Sequence, residues 1–311
     1  MRKAHGYHLV LLASLAGLLP LAVDADRAPQ PVTLKNTVAT ASAAGDTVGK
    51  IVKRVGITVS LATNTAGDAY SSCRSGETLV GGGARGGDLV ALIVSAPDPD
   101  PDNARRWRAR ALNTSEESQD LTAYAYCAQN TTPRNDRIGK IIKRKGASVQ
   151  LPGNEDGSAF ASCRSGEQLV GGGARGNDAA LFVSAPVPQK PRRWEARAFN
   201  GGGLPQDLTA YAYCAKDTTA ARDRVGMIFK RIGTAITIVP SSEGEAFSSC
   251  RRGEQLAGGG AATESSNDFA YLTVSAPDPD VALRWWARAR NSEGEVGASL
   301  TAYAYCAKPA G

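Results

Sequence analysis

The strongest constraint on the fold of this 311-residue chain is a threefold internal repeat. SSCRSGETLVGGGARG at 71–86 returns as ASCRSGEQLVGGGARG at 161–176 and as SSCRRGEQLAGGGAAT at 248–263. LTAYAYCA also occurs three times, at 121–128, 208–215 and 300–307. The first cysteine of the repeat recurs after 90 and then 87 residues. Repetition at a nearly fixed period indicates that one structural unit is used three times.

Each repeat contains two cysteines at matching positions, which predicts one disulfide per repeat. A bond inside each copy would make that copy self-sufficient, and it would stabilise it by roughly 4 kcal/mol in the chain-entropy model. A zinc site is excluded because the cysteines form no C-x-x-C pair. The predicted bonds are Cys73–Cys127, Cys163–Cys214 and Cys250–Cys306.

Residues 1–25 have the order of a secretory signal peptide: a basic start, an apolar run and small residues before Ala25. We therefore expect an exported protein, secreted or periplasmic, in a compartment that favours disulfides. No second apolar run of spanning length follows, so we expect no transmembrane segment in the mature chain. Residues 26–45 are interpreted as a flexible leader, and the repeats as 46–130, 131–217 and 218–311.

The charge of the mature chain is mild, because removal of 1–25 leaves 34 Lys and Arg against 29 Asp and Glu. The two signs are interleaved, which does not indicate nucleic-acid binding but is compatible with an anionic polymer. The only histidines, His5 and His8, lie in the predicted signal peptide. Their position excludes histidine-activated nucleophiles and histidine-ligated metals in the mature protein.

Short β-rich runs alternate with Gly, Pro and Asp in every repeat, which predicts seven strands per copy. In repeat 1 these runs are KIVKR, GITVSLA, AYSSC, ETLVGGG, LVALIVSA, RWRARAL and LTAYAYC. The opening segment also suits a short capped helix, but Gly139 is poor in a helix interior and favours a strand. The predicted fold is all-β, with three tandem small antiparallel β-sandwich-like modules, each closed by one disulfide.

The repeated order C-x-x-G-E-x-L-x-GGG, S-A-P, W-x-A-R and L-T-A-Y-A-Y-C-A resembles a module of secreted bacterial proteins, which occurs in tandem or as a C-terminal extension. The resemblance covers nearly the whole mature chain in all three copies. It implies export and fold class, and it implies no activity and no site residues. An immunoglobulin domain is not indicated, because the tryptophans follow the first cysteines by 34, 31 and 35 residues.

Alternation along two strands predicts an arginine–tyrosine surface. In R-W-x-A-R the tryptophan and alanines share one face and the arginines the other, and in the last strand the tyrosines lie opposite the cysteine. If the cystine lies in the core and the two strands form a hairpin, Arg and Tyr share an outer surface. That surface is either a stacked ladder covering the sheet or a platform for polysaccharides or anionic polymers, presented three times. The candidate binding residues are Arg110, Tyr124, Tyr126, Arg197, Tyr211, Tyr213, Arg288, Tyr303 and Tyr305.

The tryptophans themselves are predicted to be core residues. Trp107, Trp194 and Trp285 share the phase of the small apolar residues in their strands. Trp286 is out of phase with Trp285, so we expect it to be exposed.

Two further motifs are interpreted as structural. G-x-G-x-x-G at 81–86 and 171–176 lacks a following helix, so we expect a bulge or a close strand approach rather than a nucleotide site. A glutamate follows each first cysteine at one phase, and we expect it to cap a turn or pair with the neighbouring arginine. These residues are Glu77, Glu167 and Glu254, with Arg74, Arg164 and Arg251 as the expected partners.

Asp-Pro runs in repeats 1 and 3 are compatible with a calcium site, with Asp88 or Asp268 as a further ligand. Stiff proline loops explain them equally well, and repeat 2 has Val187-Pro188-Gln189 instead of Asp98-Pro99-Asp100. The prediction therefore includes no metal site and no cofactor.

The function that the sequence favours is that of an exported, non-catalytic binding or surface protein, with a polysaccharide or an anionic polymer as partner. The alternative is a self-associating envelope or matrix protein. A hydrolase that uses carboxylates is the third hypothesis, and it is disfavoured because enzymes seldom triplicate an entire active module.

Overall fold

The computed structural model describes residues 51–129, 140–216, 227–264, 270–292 and 297–308. The predicted signal peptide, the leader and both boundaries between repeats lie outside these residues. Within them, each repeat contains seven strands that pair antiparallel, and no helix is long and apolar enough to cross a membrane. The opening segment of each repeat is a strand, as predicted.

The strands of repeat 1 are β1 Ile51–Val55, β2 Val59–Leu61, β3 Ala66–Ser72, β4 Glu77–Gly86, β5 Val90–Pro97, β6 Arg106–Asn113 and β7 Gln119–Gln129, with a 3-10 turn at Pro101–Asn103. Those of repeat 2 are β8 Lys140–Lys145, β9 Val149–Leu151, β10 Glu155–Ser162, β11 Glu167–Gly176, β12 Ala180–Pro186, β13 Arg193–Asn200 and β14 Gln206–Lys216. Those of repeat 3 are β15 Met227–Ile232, β16 Ile236–Ile238, β17 Glu243–Ser249, β18 Gln255–Glu264, β19 Ala270–Pro277, β20 Arg284–Asn291 and β21 Ala298–Lys308.

The seven strands of a repeat divide into two layers. In repeat 1 the four-strand layer is β1, β2, β4 and β7, and the three-strand layer is β3, β5 and β6. Trp107 on β6 packs over Gly82 on β4, where an added Cβ would lie 2.3 Å from Trp107 Cδ2. Trp107, Trp194 and Trp285 are fully buried between such layers. The prediction of an all-β, sandwich-like fold with a tryptophan core is therefore confirmed.

Each sheet is built from two repeats, because the four-strand layer of one repeat pairs edge to edge with the three-strand layer of another. The joining pairs are β5 with β11, β12 with β18, and β19 with β4, so repeat 3 closes the ring onto repeat 1. The residue pairs at these joints include Ser95 with Ala174, Ser184 with Ala261 and Ser275 with Ala84. The expected self-sufficient modules are thus not observed, since an isolated repeat would expose the edges of β4 and β5.

The glycine triplets bring the three repeats together at the centre of the ring. A Cβ added to Gly81 would lie 3.3 Å from the carbonyl oxygen of Ala257 and 3.7 Å from Cα of Gly258. Matching contacts join Gly171 to Gly81 and Gly258 to Gly171. A register shift between Leu79 and Gly81 marks a β-bulge at the same point. The structural interpretation of G-x-G-x-x-G, a bulge with a close strand approach, is confirmed.

The three predicted disulfides are present as Cys73–Cys127, Cys163–Cys214 and Cys250–Cys306. Cys73 directly follows β3, which belongs to one sheet, whereas Cys127 lies on β7 in another. Each cystine therefore joins two sheets as well as the two layers of its own repeat.

Candidate functional site

The predicted orientation of the tyrosines is wrong. Tyr124, Tyr126, Tyr211, Tyr213, Tyr303 and Tyr305 are only 2% to 5% exposed. Tyr126 and Cys127 do lie on opposite faces of β7, but both faces are covered. The second face packs on a neighbouring repeat, where the ring centres of Tyr126 and Trp285 are 6.1 Å apart. Alternation separates the two faces of a strand, and it does not show which face meets water.

The hairpin that the platform required is also absent. β6 pairs with β3 and β5, whereas β7 pairs with β1, β2 and β4 in another sheet. Arg110 and Tyr124 therefore do not share a surface formed by these two strands. The reason is that the chain passes from the three-strand layer to the four-strand layer between β6 and β7, so these two consecutive strands belong to different sheets.

The three candidate arginines form ion pairs within repeats and between them. Arg110 lies 3.4 Å from Asp68 and 3.5 Å from Asp178 of repeat 2. Arg288 donates to Asp88 of repeat 1 at 2.7 Å and to the carbonyl of Gly86 at 3.2 Å. The third, Arg197, pairs with Asp156 at 2.6 Å. These contacts give the arginines a structural role in holding the strands and the ring together.

Trp286 was expected to be exposed, but it is only 8% exposed. It packs with Tyr124 and Val274 on the second face of its sheet. The guanidinium carbons of Arg85 and Arg288 lie 5.2 and 5.6 Å from its ring centre. Its position out of phase places it on this second face, which is covered for the same reason as the tyrosines.

The repeated glutamates are confirmed as turn-capping and arginine-paired residues, although the side-chain partner differs from the expected one. Glu167 accepts from the guanidinium of Arg144 on β8, and its Oε2 accepts from the backbone N–H of Arg164 at 2.8 Å. The bond from Arg144 holds the pKa of Glu167 below its usual value despite opposing burial. Glu77 and Glu254 make the same contacts with Arg54 and Arg231. Each glutamate also lies beside its cystine, whose sulfurs are bonded to each other.

The Asp-Pro loops contain a repeated carboxylate contact. In repeat 1, Asp98 Oδ2 accepts from Arg106 Nε at 2.5 Å and Oδ1 accepts from the backbone N–H of Asp100 at 3.0 Å. In repeat 3, Asp278 accepts from Arg284 and from the backbone N–H of Asp280 at 2.8 Å. These bonds explain the buried aspartates without a metal ion. Asp268, the other suggested calcium ligand, lies outside the described residues.

Repeat 2 lacks this carboxylate, because Val187 stands at the position of Asp98 and Asp278. The Arg193 guanidinium stacks on Phe160, 3.6 Å from its ring centre. Its Nε is buried and has no hydrogen-bond partner among the residues that the structure describes. The equivalent arginines, Arg106 and Arg284, also stack on aromatic rings, but both have their aspartate.

The whole loop of repeat 2 has the opposite charge to its counterparts. Residues 187–193 contain three bases and no acid. Residues 98–106 contain three acids and two bases, and residues 278–284 contain two acids and one base. The loop of repeat 2 thus carries +3, whereas each of the other two carries −1.

This loop borders a cleft of about 850 Å³ between repeats 2 and 3, which is also lined by β10, β11 and β15. Four cations line it: Lys190, Arg192, Arg193 and Lys230. Lys230 Nζ donates to the carbonyl of Pro188 at 3.1 Å, and burial lowers the pKa of Lys230. A pKa lowered by burial means that the ammonium would gain from a nearby anion.

Two other polar side chains limit the chemistry of the cleft. Glu167 is the one carboxylate among its described lining residues, and both of its oxygens already accept hydrogen bonds. Tyr305 also lines the cleft and is nearly fully buried, and its hydroxyl has no partner in the described part of the chain. Burial raises the pKa of Tyr305 well above its usual value, so the hydroxyl remains a donor. The cleft therefore presents cations and hydrogen-bond donors, and no pair of carboxylates.

None of Val187, Lys190, Arg192, Arg193 and Lys230 was a predicted site residue. The signal that could have found them is the charge difference between aligned loops of the three repeats, with Val187 replacing an aspartate. A comparison with known protein families and with curated proteins finds no match to this chain.

Proposed function

We propose that this chain is an exported, non-catalytic binding protein that recognises an acidic polysaccharide in the basic cleft between repeats 2 and 3. The observation that carries the proposal is the Arg193 guanidinium, which keeps its position but lacks the carboxylate that its two counterparts have. A buried guanidinium edge without an acceptor is unfavourable, and an anionic ligand would relieve it.

The surroundings of Arg193 support a polymeric ligand. Lys190 and Arg192 are exposed at the rim, where they are placed to meet further anionic groups of an extended chain. Leu169 and Ile228 add apolar surface to the same cleft, which suits the apolar faces of sugar rings. Three disulfides in the described chain are typical of exported proteins, which meet polysaccharides outside the cytoplasm.

The test compares polygalacturonate, dextran sulfate and neutral dextran as immobilised ligands for the intact chain. We expect binding to the acidic polymers, no binding to dextran, and weaker binding as salt is raised. The double variant K190A/R192A should bind at least about tenfold more weakly, because it loses two charge-assisted contacts.

The matched control is R105A/K145A, which removes two exposed cations of repeats 1 and 2 away from the cleft. It lowers the net charge equally and should bind as the wild type does. Absence of wild-type binding to either acidic polymer, or an equal loss in both double variants, would contradict the proposed site.

A further inference from the structure

We infer that the group which binds against Arg193 is a carboxylate of a uronic-acid sugar, and that it takes the place that the chain's own aspartate carboxylates take in repeats 1 and 3. This inference rests on the proposed function and assigns its ligand class. The other two repeats provide the template for the geometry.

The template is a two-point contact with one planar group. In repeat 1 one carboxylate oxygen of Asp98 meets Arg106 Nε, and the other meets the N–H of Asp100, two residues along the loop. In repeat 3 Asp278 has the same two kinds of donor. A guanidinium edge and a backbone N–H on opposite oxygens match the planar shape and single charge of a carboxylate.

Repeat 2 retains the donors in the same framework. The backbone N–H of Val187 donates to the carbonyl of Arg193 at 2.9 Å, and the matching bonds from Asp98 and Asp278 are also 2.9 Å. Arg193 Nε has no acceptor, and the N–H of Gln189, which corresponds to those of Asp100 and Asp280, donates to no described residue. The framework that holds the carboxylate in two repeats is therefore present in the third without it.

The side chain of Val187 is too short to reach the position that the carboxylate oxygens of aspartate occupy in repeats 1 and 3. Valine branches at Cβ, so its methyl groups end one bond closer to the backbone than the oxygens of aspartate. Its methyl groups can neither accept a hydrogen bond from Arg193 nor balance its charge.

A second cation flanks the same position. On the equivalent strand of repeat 1, burial lowers the pKa of Lys53, and the negative charge of Asp278 opposes that effect. Lys230 is the equivalent lysine in the cleft of repeat 2, and burial lowers its pKa with no opposing acid. A ligand carboxylate near Arg193 and Lys230 would supply the negative charge that Asp278 supplies to Arg284 and Lys53.

The decisive variant is V187D, which supplies the carboxylate from the chain itself. We expect it to bind trigalacturonate at least about tenfold more weakly than the wild type and to melt at the same or a higher temperature. V187A, which shortens the side chain without adding charge, should bind as the wild type does. The mirror variant D278V/D280Q/V281K, which gives this loop the residues found at 187–190, should open a second site and raise the stoichiometry from one to two per chain.

Each outcome bears on the inference separately from the proposed function. Binding of trigalacturonate by V187D at wild-type strength would overturn the inference, as would a stoichiometry of one in folded D278V/D280Q/V281K. Preference for sulfated dextran oligosaccharides over trigalacturonate would overturn the carboxylate and leave the proposed function standing. Preference for a polyglutamate peptide over every acidic sugar would overturn both. If V187D does not fold, the stoichiometry of D278V/D280Q/V281K still decides the matter.

Discussion

The loops of repeats 2 and 3 that precede β13 and β20 share a framework and differ in charge. Both begin after a Ser-Ala-Pro segment, close with the same backbone bond and carry an arginine stacked on phenylalanine. In repeat 3 Arg284 binds Asp278, and in repeat 2 Arg193 has Val187 beside it. The fold therefore requires the framework and tolerates loss of the carboxylate, so the charge of this loop is available for binding.

The largest expected effect tests whether the buried cores of repeats 2 and 3, on which these loops rest, contribute equally to stability. Trp194→Ala and Trp285→Ala should each destabilise the chain by about 3–5 kcal/mol, because both rings are fully buried against a glycine strand. Chemical denaturation measures the free energy of unfolding of each variant. If W194A were much better tolerated than W285A, the core of repeat 2 would differ as well, and the comparison would no longer isolate the loop.

A smaller effect should separate the two arginines. Arg284→Ala leaves the buried Asp278 without its ion pair, which should cost about 1–3 kcal/mol, since the arginine is partly exposed. Arg193→Ala removes only the stack on Phe160 and should cost about 0.5–1 kcal/mol. Equal losses in the free energy of unfolding would show that the aspartate does not distinguish the two loops.

The pH dependence of stability provides a control for the difference between R284A and R193A. Burial opposes ionisation of Asp278, but hydrogen bonds from Asp280 N–H and Arg284 outweigh it and hold the pKa of Asp278 below its usual value. A lowered pKa in the folded state contributes stability above the unfolded value of about 3.9, and that contribution is lost as the pH falls through the folded value. The loss in free energy of unfolding caused by R284A should therefore shrink below about pH 4. The loss caused by R193A should not change with the protonation of Asp278.

Repetition made much of the fold predictable. Because one pattern occurs three times, the strands, the disulfides such as Cys73–Cys127 and the buried Trp107 could be inferred from periodicity and matching positions. The pairing of β19 with β4 could not, since it joins residues as far apart as Ala84 and Ser275 and leaves no local pattern. That pairing brings Trp285 of repeat 3 against Tyr126, so the burial of Tyr126 was missed for the same reason.

The site was less predictable than the fold. The replacement of an aspartate by Val187 is visible in the sequence, and there it bears only on the calcium hypothesis. The replacement matters for binding because Asp98 pairs with Arg106, eight residues further along the chain, and that pairing is seen only in the folded loop. The neighbour Lys230 comes from another repeat, and the sequence alone does not place it beside Arg193.

Of three related arginines, Arg193 alone is expected to bind an external carboxylate, and arginine side-chain NMR can detect that binding at the residue itself. Nitrogen–proton spectra of the Nε–H groups would be recorded during titration with trigalacturonate, with Arg193 assigned from its loss in R193K. We expect a saturable shift of the Arg193 resonance, with those of Arg106 and Arg284 unmoved because their aspartates already bind them. Equal shifts of all three resonances, or a stationary Arg193 resonance at saturating ligand, would contradict that expectation.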